Sequence, residues 1–192
     1  MRFCCEIRLL ADDTAGINFL WGKIYLLVHL ALVGIKDEND HVSVGLSFPG
    51  YDVDAHKLGD SLRIISPNEA SLSALRLPES LRRFRDNVVL DEVRKIPEGI
   101  DSFVRFRRQR AKTSVERLAR RRAARHNVSA DEALRQLSGF QEERLSVPFV
   151  QIKSLSGDHR FRLYIHQETG VPNIEGTFSC YGLSAEASLP DF

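Results

Sequence analysis

Over residues 3–10 apolar side chains alternate, with Phe3, Cys5, Ile7 and Leu9 on one side and Glu6 and Arg8 on the other, which predicts an opening strand. From about residue 17 to residue 33 the spacing becomes helical, with Asp12, Asp13 and Thr14 ahead of it as caps and Gly34 as its end. Residues 41–48 (His-Val-Ser-Val-Gly-Leu-Ser-Phe) alternate again and stop at Pro49-Gly50, a strand followed by a turn. Residues 61–65 predict a third strand. Ser66 or Asn68 then starts a second helix carrying Leu72, Leu75, Leu81 and Phe84, broken at Pro78, and residues 87–96 supply a fourth strand before Pro97.

The β-α-β-β-α-β order over residues 1–96 is that of a ferredoxin-like domain, a layout shared by many RNA binders and many unrelated proteins. Beyond it the texture changes, and residues 97–192 are expected to form a second α+β domain. Residues 97–112 have little apolar periodicity and read as a linker. Thr113 and Glu116 make a capping box that opens an arginine-rich helix, and Ser129 and Glu132 make another that opens a short helix ending near Ser138-Gly139. Residues 148–154 and 160–166 read as a hairpin around Ser156-Gly157-Asp158, and residues 177–181 as a last strand.

Composition narrows the class only a little. A chain of 192 residues, 43% hydrophobic and 28% charged, has room for one large or two small domains. Its three cysteines do not form a disulfide framework: Cys4 and Cys5 are adjacent and point to opposite faces of a strand, and Cys180 stands alone. No Cys-x-x-Cys pair exists to hold zinc, and neither metal nor organic cofactor is expected. The longest apolar run, residues 24–35 with His29 inside it, falls short of the roughly 20 residues of a membrane span. It predicts a buried helix in a cytoplasmic protein with no membrane partner.

Charge changes the picture more. Residues 105–125 hold nine arginines and Lys112 against the single acid Glu116, a net +9 over 21 residues in a chain whose total is +1. So concentrated a field is a directed surface, and phosphate is the partner that suits arginine's planar fork. At 100° per residue, Arg117, Arg120, Arg121 and Arg125 share an arc of about 140° of the helix, with Ala119 and Ala123 roughly opposite. A merely solvated face mixes signs through i, i+4 pairs, and this one does not. The two short helices at 114–138 also raise a DNA-binding helix-turn-helix, but arginine fills the face and leaves few Asn, Gln or Ser to read bases.

Between Arg110 and Arg121 the chain reads Arg-Ala-Lys-Thr-Ser-Val-Glu-Arg-Leu-Ala-Arg-Arg, and Arg125-His126 and Ser129-Ala-Asp-Glu-Ala follow. With Val44-Gly-Leu-Ser-Phe-Pro49, Leu62-Arg-Ile, Pro148-Phe-Val, Phe161-Arg-Leu-Tyr-Ile165 and Cys180-Tyr-Gly-Leu-Ser184, it resembles the CRISPR RNA-processing endoribonuclease of type I-F systems, the Csy-type repeat-cutting nuclease. The resemblance implies metal-independent cutting of precursor transcripts at the base of a repeat hairpin, leaving a 2′,3′-cyclic phosphate. It also implies that the protein stays on the hairpin as a subunit of the surveillance complex, with its arginine helix in the widened end of the hairpin's major groove.

Metal-free RNA cleavage needs a base for the 2′-OH, a group that holds that hydroxyl in line, and a dry cationic place for the phosphate. Histidine is the natural proton carrier. A lone histidine on an apolar helix, as His29 is, is more often a satisfied core residue, but the resemblance makes His29 the catalytic one. A second alignment stays open: Trp21-Gly22-Lys23 matches an aromatic-Gly-Lys signature that would put Tyr25 there instead, one helical turn away on the same face. By the same resemblance Ser154 holds the attacking ribose, Tyr181 sits beside the catalytic histidine and Phe161 stacks on the nucleotide at the cut. Arg108 matches an arginine that reads a guanine, and the helix face of Arg117, Arg120, Arg121 and Arg125 is placed to hold the hairpin backbone. His126, His159 and His166 are further histidine candidates, with His126 expected to contact a phosphate at the helix end. Arg110 replaces a family glutamine, which implies a second guanine among the last base pairs of the repeat hairpin. A non-catalytic hairpin-binding subunit of such a complex is the other function these residues fit.

If the arginine face engages about six phosphates, hairpin affinity falls about a thousandfold between about 50 and 200 mM salt. Filter-binding titrations across that range check this, and a flat response rules out backbone binding by this face.

Overall fold

The computed structural model describes residues 1–110, 115–139, 145–154 and 160–192. In chain order the elements are β1 (Phe3–Leu9), α1 (Ile17–Gly34), β2 (His41–Val42), β3 (Gly45–Ser47), β4 (Ser61–Ser66), α2 (Glu69–Ala74) and α3 (Leu77–Leu81). After a 3-10 turn at Arg82–Phe84 come β5 (Val88–Leu90), β6 (Arg94–Lys95), β7 (Phe103–Gln109), α4 (Val115–His126) and α5 (Ala130–Gln136). The chain finishes with β8 (Phe149–Lys153), β9 (Arg160–Thr169), β10 (Phe178–Ser179) and β11 (Leu189–Pro190), an α+β protein. Contacts divide it into two compact units, Met1–Arg108 with Val147–Phe192, and Gln109–Ser146. Residue 96, after which the sequence predicts a boundary, lies within the larger unit, in which β8 packs against α1.

Alternation in β1 does what the sequence expects. The strand lies inside an antiparallel sheet of order β3-β4-β1-β5, with β6 also paired to β1. The register sets Ile7 opposite Leu62 and Cys5 opposite Ile64, all buried. One residue along, Glu6 faces Arg63 on the other side of the sheet and pairs with it at 3.1 Å. The Phe192 ring lies over that guanidinium at 4.1 Å, and the Phe192 main-chain oxygen accepts a further bond from it, so a nearly buried charge is paired and hydrogen-bonded.

Helix α1 buries two adjacent i, i+4 rows, Leu20, Ile24, Val28 and Leu32 beside Trp21, Tyr25 and His29. It is long and apolar enough to cross a membrane by length and composition, yet this face is packed against protein. Helix and strand meet closely at Gly22, where an added Cβ would stand 2.8 Å from the carbonyl oxygen of Gln151 in β8. That strand belongs to the second sheet, of order β11-β7-β9-β8, so the helix ties the two sheets together.

Several expectations change. Residues 103–109 are not a linker but a strand between β11 and β9, with Val104 and Phe106 turned into the core and arginines at 105 and 107 turned away. The single strand expected at 41–48 is two, since β2 pairs with β10 while β3 pairs with β4. The second helix breaks at Arg76, which is left-handed (φ 47°), and Pro78 lies in the first turn of α3, where a missing N–H costs nothing. Asp12 does not cap α1. Its carboxylate instead closes a turn on the N–H groups of Thr14 and Ala15, both at 2.7 Å, and the N-cap is Gly16. Asn68 and Ser129 cap α2 and α5 as expected, accepting from Ser71 N–H (2.8 Å) and Glu132 N–H (3.1 Å). The Thr113 cap and the turn at 156–158 lie outside the described residues.

Gly22→Ala should reveal which force wins at this close approach. Helix propensity alone favours alanine by about 1 kcal/mol. The clash with the Gln151 carbonyl should override it and destabilise the protein by about 1–3 kcal/mol. The urea midpoint measures the result, and an unchanged or raised midpoint would mean that helix and strand are free to separate.

Candidate active site and cationic helix

The α1 periodicity places Tyr25 and His29 one turn apart on its buried face, and a turn from far along the chain meets both. After β10 the chain reverses at Ser179, whose carbonyl accepts from the N–H of Gly182 at 2.7 Å, and Gly182 in turn accepts from Leu46 N–H at 2.8 Å. Gly182 has φ +69°, and an added Cβ there would lie 2.3 Å from Leu46 Cγ, so only glycine fits. Closed in this way, the turn aims two successive carbonyls at the helix. Cys180 O lies 2.8 Å from His29 Nδ1, and Tyr181 O accepts from the Tyr25 hydroxyl at 2.8 Å. The Tyr181 ring stacks on the imidazole, centroids 4.2 Å apart and planes within 3°.

A carbonyl only accepts, so His29 Nδ1 carries the hydrogen and Nε2 keeps the lone pair. His29 is 6% exposed. Burial lowers its pKa from the ordinary 6.5, and the bond to Cys180 works in the opposite direction without cancelling that fall. Near neutral pH the ring is therefore an uncharged base with one free nitrogen.

Arg108, near the end of β7, sets its guanidinium 5.4 Å from the Tyr181 ring centroid and 5.3 Å from that of Phe161. Phe161 stands opposite Ile152 in the β8–β9 ladder, and half-buried Ser154 follows two residues later, just past the end of β8. His29, Tyr181, Arg108 and Phe161 thus form one continuous series of contacts, with Ser154 at the neighbouring strand end. Among the other histidines, His166 is half-buried in β9, His126 is exposed in the last turn of α4, and His159 lies outside the described residues.

The smaller unit carries the charge. Ala119 is buried and Ala123 half-buried on the back of α4, while Arg117, Arg120, Arg121 and Arg125 are exposed. Arg122 donates to Gln136 of α5 at 2.9 Å. Among the described residues Arg120, Arg121 and Arg125 have no carboxylate partner. Arg121, Arg122, Arg125 and His126 border one open pocket of about 270 Å³ floored by Leu118 and Leu137. Arg110 is exposed just past β7.

Two features escaped sequence reasoning. The Tyr25 hydroxyl reaches the same turn as His29, which the shared helix face hinted at. Arg108 belongs to a strand, a fact carried by the alternation of Val104 and Phe106 and hidden by the arginines between and beyond them.

Comparisons with known proteins agree with the sequence resemblance. A family model described as "CRISPR-associated protein (Cas_Csy4)" matches residues 4–192. A protein of Pseudomonas aeruginosa (strain UCBPP-PA14), "CRISPR-associated endonuclease Cas6/Csy4", is 33% identical over 188 residues, 97% of either chain. A protein of the same name from Escherichia coli (strain UTI89 / UPEC) is 31% identical over 188 residues, again 97% of either chain. Among solved structures, "An RAMP protein binding different RNA substrates" aligns with a TM-score of 0.33 and 13% identity, over 98% of this chain and 99% of the other.

The His29 ring should titrate below its ordinary value of 6.5, the direction that burial dictates. Because the folded pKa is the lower one, stability is lost as pH falls below the unfolded value, until the folded ring is protonated too. An NMR titration of the imidazole resonances checks the direction, and a value at or above 6.5 would overturn it.

Proposed function

The chain belongs to the CRISPR-associated Csy4 family, and from that premise we propose that it is an endoribonuclease that cuts CRISPR precursor RNA at the base of a repeat hairpin without a metal ion. The observation that carries the reading is the bond from His29 Nδ1 to Cys180 O, which leaves Nε2 as the one free base of a nearly buried, uncharged imidazole. Nε2 takes the proton of the ribose 2′-OH, O2′ attacks the adjacent phosphorus, and the P–O5′ bond breaks as the leaving oxygen gains a proton. The products are a 2′,3′-cyclic phosphate and a 5′-hydroxyl.

The surrounding residues fit this chemistry. Tyr181 stacked on the imidazole limits its rotation, and Ser154 holds the attacking ribose. Phe161 offers a ring for the nucleotide at the cut. Arg108 reads a guanine, and its place within 5.4 Å of the Phe161 and Tyr181 ring centroids, beside the proposed base, supports that role. The exposed row Arg117, Arg120, Arg121 and Arg125, with Arg110 and His126, holds the hairpin and its terminal pair. Retention on the product as a subunit of a cytoplasmic surveillance complex follows from the same family premise. A ferredoxin-like reading of the N-terminal elements is supported by the antiparallel order β3-β4-β1-β5 and by the single helix between β1 and the next strands.

The test is cleavage of the repeat hairpin in EDTA under single-turnover conditions. Wild type should give a cyclic-phosphate end, and His29→Ala should lose about 100- to 10,000-fold in rate with hairpin affinity nearly unchanged. Undiminished cutting by His29→Ala would remove His29 as the base. Tight binding without cutting by wild type would make the protein a hairpin-binding subunit instead.

A further inference from the structure

Tyr181 lies between two peptide planes, and α1 holds both. The Cys180–Tyr181 plane is held through its carbonyl by His29, and the Tyr181–Gly182 plane through its carbonyl by the Tyr25 hydroxyl, each at 2.8 Å. A residue has only two soft backbone torsions, so clamping the planes on both sides fixes where its Cα–Cβ bond points. From that starting point the Tyr181 ring lies on the imidazole, with centroids 4.2 Å apart.

We propose that Tyr25 is a positioning residue for His29: its hydroxyl, by holding the Tyr181 carbonyl, keeps the turn in the one arrangement that selects the Nδ1–H tautomer and seats the Tyr181 ring. This deepens the nuclease reading and rests on it for its kinetic consequence. Tyr25 is built for the part. Its side chain is fully buried, and its ring lies nearly parallel to Phe48, 6.3 Å between centroids and 13° between planes. Burial pushes the phenol well above its ordinary ionisation range, so the hydroxyl remains a donor. It has one hydrogen to give, and the Tyr181 carbonyl receives it.

Removing that hydroxyl takes away the bond by which α1 holds the Tyr181 carbonyl, and the peptide plane gains freedom to turn. The Cys180 carbonyl belongs to the preceding plane and would move with it. His29 Nδ1 would then lose its acceptor part of the time, and the hydrogen would exchange to Nε2, the nitrogen that has to be free. Tyr25 thus acts without touching substrate.

Tyr25→Phe tests this, with Ile24→Val as a control at a fully buried neighbour that has no polar group to offer the turn. Single-turnover cleavage by Tyr25→Phe should fall about tenfold while hairpin affinity stays at the wild-type value. The ring ¹⁵N resonances of His29 should shift from the pure Nδ1–H pattern toward a mixture of tautomers. Ile24→Val should match wild type in all three measurements. A wild-type rate and an unchanged His29 spectrum in Tyr25→Phe would overturn the proposal. So would an equal loss of rate in Ile24→Val, or a loss of affinity in step with rate, since either marks a general loosening of the core. The spectrum needs no cutting: if wild type itself does not cleave, the nuclease reading fails and the tautomer shift alone decides the role of Tyr25.

Discussion

The turn from Ser179 to Gly182 is the constraint on which the site depends. His29 is held by its Cys180 carbonyl, Tyr25 by its Tyr181 carbonyl, and Arg108 lies over its one aromatic ring. The turn is kept shut by its own Gly182-to-Ser179 bond and by the bond from Leu46, and it passes so close to Leu46 that any side chain at 182 collides. A buried imidazole held by a carbonyl is uncharged near neutral pH and has a defined tautomer, the two properties on which the proposed role of His29 as a base rests.

The arginine-rich stretch, uniform on paper, divides into three uses. Arg105 and Arg107 both pair with Glu168, at 3.0 and 2.7 Å, and serve the second sheet. Arg108 turns to the other side of the same strand and sets its guanidinium near the rings of Phe161 and Tyr181. On α4 the exposed row contains arginines that no described carboxylate neutralises, and that is where unspent positive charge remains for a polyanion. A count of +9 says nothing about this division. It follows from which side of a strand or helix each arginine occupies and from whether an acid stands across from it.

Most of the architecture was legible because its elements have clean periods. The opening strand, the long helix, the β8–β9 pair and the caps at Asn68 and Ser129 all have local causes, written within a few residues of where they act. Elements were missed where the local signal was short or masked. β7 has charged residues at most of its non-core positions, so its alternation resembles a polar linker. β2, β3 and β11 run only two or three residues, too few for any period to show, and they exist because partner strands supply their hydrogen bonds. At the site, Tyr25 and His29 could be placed on one helix face from their spacing, but which carbonyl each of them meets could not.

By itself the sequence determined the helical face shared by Tyr25 and His29, the alanine-backed row of arginines, the alternation of the principal strands and the family to which they point. Those are consequences of spacing, and spacing survives without a fold. Only the tertiary structure decided that carbonyls 151 and 156 residues away would meet those two side chains, that Tyr181 would lie flat on the imidazole, and that Arg108 would leave its charged run to lie beside them. A hydrogen bond to a carbonyl carries no side-chain signature. Where a backbone oxygen comes to rest depends on every contact that closes the turn, and no local pattern records that.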